Sequence, residues 1–65
     1  MRIEITIESK TYKSKSTDEI SQKDTAEELY KKLENFNKLQ FDLDDGGILL
    51  IGQDAIRKAQ IVIYP

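Results

Sequence analysis

Leu39-Gln40-Phe41-Asp42-Leu43-Asp44-Asp45-Gly46-Gly47-Ile48-Leu49-Leu50-Ile51 is the stretch on which the fold turns. Its first half alternates apolar and polar residues with the period of two that marks a half-buried strand. Asp45-Gly46-Gly47 interrupts the pattern, and an unbroken apolar run follows. Asp-Gly or Gly-Gly between two apolar runs predicts a hairpin, because tight two-residue turns need positive φ and glycine supplies it without a Cβ clash. Either two-residue loop places Ile48 and Leu50 on the same face as Phe41 and Leu43, and leaves Leu49 and Ile51 on the other face beside Gln40 and Asp42. A three-residue loop would invert that assignment, since a one-residue change of register moves every side chain across the sheet.

Upstream, Ala26, Leu29, Tyr30, Leu33 and Phe36 fall on one side of a helix. Asp24 with Glu27, or Thr25 with Glu28, matches the capping-box spacing, in which each side chain satisfies a free N–H of the first turn. Residues Thr17 to Lys23 form a polar lead-in, and the helix is expected to end between Asn35 and Asn37, where asparagine tolerates a left-handed backbone. Further upstream, Ile3, Ile5 and Ile7 alternate with Glu4, Thr6 and Glu8, a one-face-buried strand. Ser9-Lys10 separates it from a polar β-favouring run, Thr11 to Ser16, whose lysines suit an exposed edge. Downstream, Gly52 to Lys58 predicts a turn and one helical turn with Asp54 as cap, and the chain closes on the strand Ile61-Val62-Ile63-Tyr64.

These elements make one α+β domain over residues 1–65 in the order ββαβββ, with an amphipathic helix on one face of a small, mainly antiparallel sheet. Two topologies fit. Either the last three strands form a meander, which sequence neighbours favour, or the last strand runs parallel to the first in a β-grasp. On the two-residue-loop parity, Leu49, Ile51, Val62 and Tyr64 lie together on the face away from the helix. Four clustered outward apolar residues predict a contact surface for a protein partner or a second copy; with the opposite parity some of them belong to the core.

Composition narrows the function. A 65-residue chain buries only about 60% of the surface its unfolded form exposes, so stability margins are thin. The chain has no Cys and no His, which removes disulfides and soft-ligand metal sites and leaves packing or self-association to stabilise it. The absence of cysteine and of a signal-peptide pattern at Met1-Arg2-Ile3-Glu4-Ile5 makes the cytoplasm the expected location. No apolar run approaches the roughly 20 residues of a membrane span. The 10 basic and 12 acidic residues leave a net charge of -2, against the basic excess of nucleic-acid binders. Lys10, Lys13 and Lys15 around Tyr12 are the one local exception: they offer a basic, aromatic surface on which a weak nucleic-acid-binding function could rest, although a soluble edge strand is the usual reason for such lysines.

Asp42, Asp44 and Asp45 before Gly46 have the look of a calcium loop but lack its further oxygen ligands and closing glutamate. No Ser, Thr, Tyr or Lys sits in a recognisable constellation with a base, and no glycine pattern forms a phosphate loop. The expectation is therefore a non-enzymatic chain with no cofactor and no metal. In size, in its Lys/Glu/Ile-rich texture and in its lack of motifs, the chain resembles small accessory proteins of phages and prophages of low-GC bacteria. That resemblance implies a protein that binds and blocks, or redirects, a larger protein. The layout also resembles a β-grasp domain, although the end at Tyr64-Pro65 lacks the di-glycine tail of conjugated modifiers.

Overall fold

The computed structural model describes residues 1–16 and 21–65; part of the polar lead-in expected from Thr17 lies outside the described residues. The isoleucine alternation forms β1 (Arg2–Ile7), which turns into β2 (Lys10–Lys13). The hairpin register is Ile7↔Lys10, so the two loop residues are Glu8 and Ser9, at φ 48° and 73°. Positive φ at both loop positions is the signature of a type I′ turn, whose twist matches that of the flanking strands. On the outer face the Thr6 and Thr11 hydroxyls meet at 3.0 Å.

The helix α1 (Gln22–Phe36) begins one turn earlier than the capping-box spacing predicts. Its N-cap is Ser21, whose Oγ accepts the Asp24 N–H at 3.2 Å and satisfies one of the free donors of the first turn. Asn37 ends it at φ 54°, donating its N–H to the Leu33 carbonyl, as the asparagine-rich end predicts. Leu29 and Leu33 pack against the core, Ala26 is half-buried and Thr25 is buried. Tyr30 and Phe36 do not join this stripe and stand in solvent.

The central stretch forms the hairpin of β3 (Leu39–Asp42) and β4 (Ile48–Ile51). Its register pairs Leu39 with Ile51, Phe41 with Leu49 and Asp42 with Ile48, and Leu43 donates its N–H to the Gly47 carbonyl. The loop is therefore the three residues Asp44, Asp45 and Gly46. Gly46 takes the positive-φ position at 91°, and the Asp45 carboxylate accepts the Gly47 N–H at 2.8 Å. This geometry overturns the two-residue-loop expectation: Leu49 and Ile51 face the core with Leu39, Phe41 and Leu43, while Ile48 and Leu50 face out.

A short helix, α2 (Gln53–Ile56), follows, with Gly52 rather than Asp54 at its N-cap. Ala55 and Ile56 pack toward the core and carry the chain away from β4, so the last strand, β5 (Ala59–Tyr64), does not continue a meander. It lies beside β1, as in a β-grasp, but antiparallel to it. Pairs Ile3↔Ile63, Ile5↔Ile61 and Ile7↔Ala59 set apolar residues opposite one another on the inner face, which is the unit of sheet stabilisation.

The result is an α+β domain of two antiparallel sheets, β2-β1-β5 and β3-β4. An isolated bridge, Ser14↔Leu43, joins them. Ser14 donates its N–H to the Ile3 carbonyl at 2.8 Å and accepts the Ile3 N–H on Oγ at 3.0 Å. On its other side, Lys15 donates to the Asp42 carbonyl and Asp44 to the Lys13 carbonyl. Ile5 and Ile51, one from each sheet, are the most deeply buried side chains.

Candidate functional site

The four residues expected to share an outer face are split between two environments. Ile51 is 1% exposed and Leu49 packs against the core, so neither offers a contact surface. Val62 and Tyr64 do point outward, at 38% and 39% exposure. Their setting is mixed rather than apolar. Arg2 lies opposite Tyr64 in the β1–β5 register, with its guanidinium carbon 5.0 Å from the ring centroid, and it also pairs with Glu4 at 3.1 Å. Val62 sits opposite Glu4.

The inverted parity exposes a different set. Ile48 is 61% and Leu50 72% exposed on the outer face of the β3–β4 hairpin, and Phe36, at the last turn of α1, is 64% exposed. Leu50 and Phe36 line an open groove of about 600 Å³ together with Leu39, Ile51, Lys32 and Lys38. The lining combines the buried core side chains Leu39 and Ile51 with the polar Lys32, Lys38, Gln40 and Asp42. Exposed aliphatic and aromatic side chains around a concave surface are what a protein contact needs. The signal for Ile48 and Leu50 was present in the sequence but balanced: the unbroken run Ile48 to Ile51 has apolar residues on both faces, so only the loop length could choose between them.

The basic stretch around Tyr12 is partly neutralised. Tyr12 packs against the core, with Lys10 Nζ 5.1 Å from its ring centroid. Lys10 and Lys13 share a shallow hollow with Asp44 and Asp45, so acid meets base where a nucleic-acid backbone would need base alone. Among the described residues no group of three acidic side chains converges to hold a metal ion. No described helix is long and apolar enough to cross a membrane. No family model, curated protein or solved structure matches the chain.

Proposed function

We propose that this chain is a non-enzymatic protein-interaction module of the cytoplasm, which works by binding another protein through the outer surface of the β3–β4 hairpin and the adjoining end of α1. The observation that carries the reading is the exposure of Ile48, Leu50 and Phe36, of which Leu50 and Phe36 line one open groove. Leaving such side chains in water forgoes the roughly 1.5–3 kcal/mol that burying each of them would contribute. The polar lining of the groove, Lys32, Lys38, Gln40 and Asp42, pairs no nucleophile with a base, which supports binding over catalysis. The resemblance to phage and prophage accessory proteins points the same way, toward blocking or redirecting a larger protein.

Site-specific photo-crosslinking in cells of the source organism tests this. A benzophenone side chain at Leu50 or Phe36 should form an adduct with a defined protein, while one at Gln60, outside this surface, should form none. Equal, diffuse labelling from all three positions would refute the proposed surface.

A further inference from the structure

The tip of the β3–β4 hairpin holds a reactive pair of residues. Asp45 is the only Asp or Asn in the chain that is followed by glycine. At such a pair the backbone nitrogen of the second residue can attack the side-chain carboxyl of the first, because glycine puts no Cβ in the way and its backbone is free to bring the two atoms together. Asp45 and Gly46 are both exposed, and a Cβ placed on Gly46 would meet nothing within 4 Å. Water therefore has open access to the bond between them.

Two hydrogen bonds of the folded loop occupy the atoms that would react. The Gly46 nitrogen, the nucleophile, donates its N–H to the Leu43 carbonyl at 3.1 Å. The Asp45 carboxyl, the electrophile, accepts the Gly47 N–H on Oδ1 at 2.8 Å. Ring closure requires the nitrogen to give up its proton and the carboxyl to lose an oxygen. The first bond holds that proton on nitrogen, and the second holds the carboxyl against Gly47. Gly46 is also fixed at φ 91° by the turn, so the rotation that brings nitrogen onto the carboxyl carbon waits for the loop to open, a local event far less costly than global unfolding.

We propose that the Asp45–Gly46 bond is the chain's site of isoaspartate formation, and that the hairpin loop holds the reaction back in the folded state. A bond forms from the Gly46 nitrogen to Asp45 Cγ, the C–O bond of the carboxylic acid breaks, and its hydroxyl leaves with the amide proton as water, giving a succinimide ring. A second water then opens the ring. Cleavage at Cγ restores Asp45; cleavage at the main-chain carbonyl carbon leaves the backbone routed through Cβ and Cγ. Mass is unchanged, but the main chain gains one atom between residues 45 and 46, and the carboxylate that accepts the Gly47 N–H is drawn back by one carbon. Loop length sets which face of β4 is buried, so the extra atom works against the native pairing of Asp42 with Ile48. Modification is expected to weaken the hairpin that presents Ile48 and Leu50.

The test ages the purified chain for weeks in mildly acidic buffer, with and without enough guanidinium chloride to unfold it, and maps isoaspartate by electron-transfer mass spectrometry. Isoaspartate should accumulate at Asp45 ahead of every other aspartate, at least tenfold faster in the unfolded chain than in the folded one. Gly46→Ala, aged in guanidinium where the fold plays no part, should slow the reaction several-fold. The modified fraction, separated and returned to native buffer, should melt at a lower temperature than the unmodified one. Isoaspartate first at another aspartate, none in the unfolded chain, or a rate indifferent to Gly46→Ala would overturn the site. Equal rates in the folded and unfolded chains would overturn the protection by the loop, and a modified fraction that melts with the parent would show that the hairpin absorbs the extra atom.

Discussion

Ser14 holds more of this molecule together than its size suggests. It lies at the bridge described between the two sheets, is 8% exposed, and its Oγ is the acceptor for the Ile3 N–H. Replacing it with alanine keeps the backbone bridge but strands a part-buried donor whose desolvation costs about 1–3 kcal/mol. Ser14→Ala is therefore expected to lower the urea midpoint by that much stability with an unchanged m-value, since the surface exposed on unfolding stays the same. A loss below about 0.5 kcal/mol would mean that water satisfies Ile3 instead. Nothing in the sequence marks Ser14 off from Ser9 or Ser16, because its importance comes from a partner 11 residues away in the chain. Asn37, by contrast, was legible: a left-handed helix end is a local requirement, met by a local residue type.

At the scale of elements, the loop of the β3–β4 hairpin decides which half of an apolar run is core. Gly46 sits at φ 91° with nothing within 4 Å of where a Cβ would stand, so substitution there is opposed by backbone conformation alone. Gly46→Ala is expected to cost about 1 kcal/mol, and Gly46→Asn less, because asparagine tolerates positive φ better than alanine. Thermal melts of the two variants check the order; an alanine variant as stable as the parent would mean that the loop closes in some other way. The existence of each strand and of α1 was legible from periodicity, which depends only on local burial. The face of β4 was not, because Ile48 and Leu50 are as apolar as Leu49 and Ile51 and the choice falls to one residue of loop length. The direction of β5 was equally hidden: its alternation serves a parallel or an antiparallel neighbour, and the reversal depends on where α2 delivers the chain.

For the whole molecule, a core of five buried apolar side chains among the described residues and a bridge-joined pair of sheets, in a chain with no cysteine, predict a stability that depends on association. If the surface around Ile48 and Leu50 binds a second copy, the folded dimer is favoured over two unfolded chains by mass action, and apparent stability rises with protein concentration. Each tenfold increase adds about 1.4 kcal/mol per dimer, or roughly 0.7 per chain. For a domain of this size 1 kcal/mol shifts the midpoint by about 4–8 °C, so the melting temperature should climb roughly 3–6 °C per decade of concentration wherever the dimer is populated. Ile48→Lys should flatten that slope while leaving the midpoint at the lowest concentration nearly unchanged, since the side chain stands in water in the monomer. Calorimetry across two decades of concentration separates the cases. A flat parent would place all the stability within the single chain, whereas a slope retained in the variant would move the association to another surface.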